Sequence, residues 1–105
     1  SAPADALVLP MTADMAPAIA LAERLRAAGL RVQLYGEQKK FKQKMAYANK
    51  LNVPFAVLLG EDEIEKGLCS VKDMRSGEQQ LLTPEAAAEF IRAAVNAQCP
   101  VILEK

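Results

Sequence analysis

The side chains best equipped for chemistry in this chain are a carboxylate and an ammonium separated by a turn and the start of a strand. Glu63 closes the turn Gly60-Glu61-Asp62-Glu63, and Lys72 falls on the alternating segment that comes after it. Such a pair can be a plain surface ion pair, which contributes little. It can also read the edge of an unpaired base. A carboxylate accepts from the N1–H and N2–H donors of guanine, while an ammonium donates to its O6 and N7 acceptors. That edge is open in single-stranded RNA, whose bases splay out of the stack. A second concentration of charge lies between positions 36 and 50, where five lysines accompany one glutamate. Lys39, Lys40 and Lys42 suit either a solvated helix face or a surface that contacts phosphates, each neutralised phosphate releasing counterions. Contacts of that kind position a nucleic acid without reading its sequence.

Other chemistries are closed off by what is missing. The chain of 105 residues has no histidine, which removes Ser-His-Asp and Cys-His catalysis, the H-E-x-x-H zinc site and any imidazole pH switch. The stretch Pro10-Met11-Thr12-Ala13-Asp14 holds no glycine, so neither G-x-G-x-x-G nor a P-loop follows the first strand. Cys69 and Cys99 form no C-x-x-C and read as two half-buried thiols of a reducing cytoplasm. Glu61, Asp62, Glu63 and Glu65 read as a solvated turn rather than a tuned acid–base pair. No catalytic residue, metal site or resident cofactor is expected in this chain.

Composition agrees with one domain and a real core: 51% of residues are hydrophobic, and 13 basic residues balance 13 acidic ones. That balance excludes a polybasic tail and an acidic solvating segment. Aromatics are 5% with no tryptophan, which speaks against a platform of stacked strand aromatics. The longest apolar runs are too short to cross a membrane, and no signal peptide is visible. The start at Ser1 and the loose Ala2-Pro3-Ala4 suggest a piece excised from a longer protein. Residues 1–5 are expected to be a disordered start or a remnant of that excision, and 6–105 the domain.

The elements that must position these side chains can be read from periodicity. Residues 6–10 form a short buried strand. A helix over about 14–28 comes next, capped by Thr12 or Asp14, with Pro17 in its first turn, Ala18, Ile19, Ala22 and Leu25 inward, and Gly29 after its end. Residues 31–35 alternate as a second strand. A second helix is expected over 37–51, with Phe41, Met45 and Ala48 as its buried stripe and its N-terminal amides at Gly36-Glu37-Gln38. Residues 55–59 should be a central strand. Residues 61–65 read as a turn or single helical turn closed by Lys66-Gly67. Residues 68–74 alternate, with Leu68, Ser70, Lys72 and Met74 on one face. Arg75-Ser76-Gly77 turns the chain back along 78–82. Thr83-Pro84-Glu85 starts a last helix that buries Ala87, Phe90, Ile91, Ala94 and Val95. Val101-Ile102-Leu103 are expected to dock as a tail or short strand. This order implies a mixed, largely parallel α/β sheet of about five strands flanked by three helices.

Four stretches carry a family resemblance: A-E-R-L-R-A-A-G at 22–29, K-K-F-K-Q-K-M-A-Y-A-N at 39–49, A-V-L-L-G-E-D-E at 56–63 and G-L-C-S-V-K-D-M-R-S-G-E-Q at 67–79. Together they resemble the C-terminal anticodon-binding domain of class II aminoacyl-tRNA synthetases, with histidyl-tRNA synthetase the nearest of them. The resemblance covers roughly residues 6–97, and the G-E-D-E to G-E-Q block is its most specific part. It implies the fold already derived. It also implies that Glu63 and Lys72 contact an anticodon guanine, and that Gln79 and the lysines of the second helix face tRNA. The histidine anticodon (GUG) contains such guanines. Lysine in place of the arginine of some relatives keeps the charge and loses the bidentate fork.

The function implied by the resemblance is recognition without catalysis. ATP and magnesium would belong to a catalytic domain on the parent, a histidine–tRNA ligase, and not to these residues. The expected partner is tRNA, the histidine acceptor, with no DNA and no membrane. The parent is expected to be a cytoplasmic homodimer assembled through other domains. Two further readings stand beside this one. One is a synthetase-like regulatory or protein-interaction module without tRNA binding. The other is the equivalent domain of a threonyl-, prolyl- or glycyl-tRNA synthetase.

Overall fold

Residues 2–98 are described by a computed structural model. Strand β1 (Ala6–Pro10) leads into helix α1 (Ala16–Ala27), strand β2 (Val32–Leu34) and helix α2 (Phe41–Leu51). Strand β3 (Phe55–Leu59), the short helix α3 (Glu61–Lys66), strands β4 (Cys69–Asp73) and β5 (Gln79–Leu82), and helix α4 (Pro84–Gln98) complete the fold. One sheet holds all five strands in the order β2-β1-β3-β4-β5. Its first two pairings are parallel and its last two antiparallel.

Period-2 alternation divides the core between the two faces. Ala6, Val8, Phe55, Val57, Cys69 and Val71 pack under α1 and α4, whose contributions include Leu21, Leu25, Ala87 and Ile91. Leu7, Leu9, Ala56 and Leu58 pack on the opposite face with Ala48, Met45 and Leu51 of α2. Burial on both faces is why β1 and β3 are unbroken apolar runs. Helix α2 covers the β1–β3 part of its face and leaves the β4–β5 end open. There Lys72 is half-buried, Gln79 and Leu81 are exposed, and Lys72 lies directly opposite Gln79.

Local signals explain most boundaries. Asp14 Oδ1 accepts from Ala16 N at 3.0 Å, and Thr12 Oγ1 donates to the Asp14 carbonyl at 2.8 Å. Both residues foreseen as caps thus work together, although Met15 occupies the cap position itself. Gly29 leaves α1 at φ 96°, a conformation costly for any residue with a Cβ. Thr83 Oγ1 accepts from Ala86 N at 3.1 Å at the start of α4.

The structure corrects the sequence reading in several places. Helix α2 begins at Phe41, not Glu37, because Lys40 is extended (φ −71°, ψ 156°) and Gln43 Oε1 reaches back to Lys40 N at 3.2 Å. No helical amides are therefore presented at Gly36-Glu37-Gln38. Of the expected stripe Met45 and Ala48 do face the sheet, joined by Lys44 and Leu51, while Phe41 is left 52% exposed. Lys44 is only 4% exposed. Its Nζ donates to the Pro10 carbonyl and lies 5.9 Å from the centroid of the Tyr35 ring, so a carbonyl and a π face replace water around the charge. Ile19 and Phe90 are exposed rather than inward, although Phe90 meets Phe55 edge to face at 5.7 Å. Ala4 and Asp5 pack into the domain: Asp5 takes the Arg31 guanidinium at 2.9 Å and the Arg31 amide at 2.8 Å. Ser1, Cys99 and the Val101-Ile102-Leu103 tail lie outside the described residues.

Candidate nucleic-acid interface

The open end of the sheet forms the floor of a groove of about 330 Å³, lined by Met11, Phe41, Leu58, Gly60, Glu61, Asp62, Glu63, Ser70 and Gln79. Three local devices build it. The β4–β5 turn is held by Asp73, whose Oδ1 accepts from Arg75 N at 2.8 Å and Ser76 N at 3.2 Å. This turn sets the register that places Gln79 beside Lys72 and Leu81 beside Ser70. Gln79 Nε2 then donates to Ser70 Oγ at 2.8 Å, leaving its amide oxygen as an acceptor.

The α3 turn supplies the second device. Glu63 Oε1 accepts from Gly60 N at 2.6 Å, satisfying one of the orphan donors at the start of the helix. A Cβ on Gly60 would stand 2.8 Å from that oxygen, so the close approach, not the backbone angle, favours glycine here. A carboxylate has about four lone-pair sites. One oxygen of Glu63 is fixed, and the other has no protein partner among the described residues. Glu63 is thus held at the groove with acceptor capacity to spare.

Helix α2 supplies the third device, a wall made by its first turn. Phe41 lines the groove, and Lys40 and Lys42 flank it in the chain, both exposed.

The side chains expected to act together are only partly brought together. Glu63 and Gln79 share the groove, and Lys72 rises from the same sheet face two residues beyond Ser70, with no ion pair to Glu63 among the described residues. The lysines divide. Lys39 belongs to a different groove of about 380 Å³ with Glu37, Tyr35, Tyr47 and Lys50, and its Nζ lies 3.6 Å from Glu37. Lys44 is consumed by packing. Ser70 and Phe41 are groove residues that sequence reasoning did not select. The alternation of 68–74 carried the signal for Ser70, whereas Phe41 was placed in the core because it is apolar and falls at helical spacing from Met45 and Ala48.

Behind this site, Cys69 is fully buried, and burial pushes its thiol up to about 11, with Glu63 adding to the rise and Arg24 opposing it. At neutral pH its thiolate fraction is on the order of one in ten thousand. In a Cys99→Ser variant, Ellman's reagent should therefore react only as the chain unfolds. Rapid labelling of the folded protein would show that the β4 face opens.

Among the described residues no three or more Asp, Glu or Cys side chains are grouped to hold a metal ion, and no helix is long and apolar enough to cross a membrane. An open mixed sheet with an acidic, amide-bearing groove beside exposed lysines defines a small α/β recognition domain. Residues 5–94 match the sequence model of the anticodon binding domain family, and the chain belongs to that family. It is 39% identical over 89 residues to the histidine–tRNA ligase of Clostridium tetani, covering 85% of this chain and 20% of that protein. It is 45% identical over 75 residues to the ligase of Porphyromonas gingivalis, covering 71% of this chain and 16% of the relative. The chain thus spans about a fifth or less of the curated relatives it matches.

Its structure resembles histidyl-tRNA synthetase from Nostoc sp. PCC 7120 with a TM-score of 0.83 and 31% identity, over 89% of this chain and 23% of that one. The RNA binding domain of threonyl-tRNA synthetase from Cryptosporidium parvum shares the fold at a TM-score of 0.79 and 18% identity, covering 85% of this chain and 23% of that one.

Proposed function

We propose that this chain reads the anticodon of tRNA, the histidine acceptor, for a histidine–tRNA ligase. In this reading the ATP- and magnesium-dependent catalytic domain lies on a longer parent, a cytoplasmic homodimer assembled through other domains. The observation that carries the proposal is the Glu63 carboxylate, tied through one oxygen to Gly60 N and lining a groove with Gln79. A guanine edge placed there finds an acceptor for its N1–H and N2–H. The Lys72 ammonium on the same face supplies a donor for O6 or N7. Lys40 and Lys42 then neutralise neighbouring phosphates, with Lys39 a weaker contributor because Glu37 already balances it. The domain adds binding free energy that favours the cognate tRNA and orients it, while bond formation happens elsewhere.

The test is binding of a short RNA hairpin whose loop carries GUG, measured across a salt series. Lys40→Ala and Lys42→Ala should each weaken every hairpin alike and reduce the salt slope by about 0.7, the value for one single-strand phosphate contact. Changing the anticodon guanines should weaken binding to the wild-type chain while the slope stays constant. Affinity independent of the loop sequence would overturn anticodon reading.

A further inference from the structure

We infer that Phe41 is a stacking surface for the base held in the Glu63 groove, an inference that rests on the RNA reading above. Single exposed apolar side chains are ordinary. Phe41 differs in its surroundings. It is 52% exposed, it forms a wall of the groove that Glu63, Ser70 and Gln79 line, and Lys40 and Lys42 stand on either side of it in the chain. Neither of those ammonium groups is paired with a carboxylate among the described residues. Leu81, also 52% exposed, adds apolar surface on the same sheet face, opposite Ser70.

The burial of Lys44 gives this exposure a cause. With its Nζ on the Pro10 carbonyl, α2 is rotated so that Lys44, not Phe41, faces the sheet. The ring is thereby carried out over the groove. An apolar peptide would satisfy the ring and leave the carboxylate and amide without partners. A free anion would satisfy the lysines and be repelled by Glu63. An unpaired nucleotide uses all three: a flat π face for the ring, a donor-bearing edge for Glu63 and a phosphate for the lysines. Stacking of this kind is worth about a 5- to 150-fold change in affinity per base, and it tolerates any base because each has a π face.

The chain contains no tryptophan, so Phe41→Trp introduces a single reporter in the groove wall. With the GUG hairpin as probe, Phe41→Ala should weaken binding about 5- to 150-fold, and Phe41→Leu should recover only a minor part. Phe41→Trp should bind within a few-fold of wild type, its emission quenched on addition of RNA. Leaving an abasic ribose in place of the base held in the groove should cost the wild-type chain more than Phe41→Ala does, because the Glu63 contact goes as well, and should cost the Phe41→Ala chain less than it costs wild type. Stacking is overturned if wild type distinguishes anticodons while Phe41→Ala binds as well as wild type, or if the bound Phe41→Trp emission is unchanged. Loss of anticodon dependence in the wild type itself would overturn the underlying reading, and the inference with it.

Discussion

Glu63→Gln is expected to erase most of the preference for guanine while leaving the fold nearly as stable as before. The two side chains have the same shape, and a glutamine oxygen can still accept from Gly60 N, so the cap on α3 survives. What changes is the second atom. The free carboxylate oxygen becomes an amide nitrogen that donates, and it then faces the N1–H and N2–H donors of guanine. A good bidentate contact is worth about 1–3 kcal/mol of discrimination, so the ratio of affinities for GUG and adenine-substituted hairpins should fall about 5- to 150-fold. Inosine, which lacks the 2-amino group, should bind wild type more weakly than guanine does and bind Glu63→Gln no worse.

Glu63→Ala tests a different combination, because it also removes the cap and should cost about 0.5–2 kcal/mol of stability. Gly60→Ala isolates the positioning. Its Cβ would meet Oε1 at 2.8 Å, and the flexible end of Glu63 would swing away. Discrimination should then fall with the charge still present. An unchanged preference in Glu63→Gln would remove this carboxylate from base reading altogether.

The boundaries that the sequence displayed were those written in local chemistry. Strands β1 and β3 were legible as short apolar runs bounded by Pro10 and Gly60, and α4 by its Thr83-Pro84-Glu85 start. The β4–β5 hairpin was legible in its turn residues and its alternation. Together these put Ser70, Lys72 and Met74 on one face, and the structure turns that face to the side that α2 covers. The start of α2 was not legible. Gln38, Lys39 and Lys40 are good helix formers, and nothing in their propensity shows that residues 36–40 run non-helically before Phe41. The inward face of α2 was hidden for a related reason. Apolarity favoured Phe41, while the partner of Lys44 is a backbone carbonyl 34 positions away, which no pattern along the chain reveals. The position of the five lysines was therefore the least readable part of the site: Lys44 is buried, Lys39 is balanced by Glu37, Lys50 lies with it in the other groove, and Lys40 and Lys42 flank the groove wall.

Lys44→Ala is expected to be the most destabilising of these substitutions, although lysine is a residue ordinarily tolerant of change. Its stem fills space under α2 beside Tyr35, and its ammonium meets the Pro10 carbonyl. Truncation removes the packed methylenes, leaves a cavity and leaves that carbonyl without this donor. Large-to-small changes at buried sites cost about 2–5 kcal/mol, and a domain of this size has about 5–15 kcal/mol in total. At about 4–8 °C per kcal/mol, the midpoint of thermal unfolding should drop by roughly 8–40 °C. Lys44→Met separates the contributions, since it keeps most of the stem and deletes only the charge and its hydrogen bond. Relief from holding an ammonium out of water offsets the lost bond, so Lys44→Met should stay within about 1–2 kcal/mol of wild type. It would still free the first turn of α2 from Pro10, and with it the register of Phe41, Lys40 and Lys42 over the groove. The same variant should therefore bind the GUG hairpin more weakly than its stability alone explains. Wild-type stability in Lys44→Ala would mean that the ammonium is solvated and that α2 is held by Ala48 and Leu51 without it.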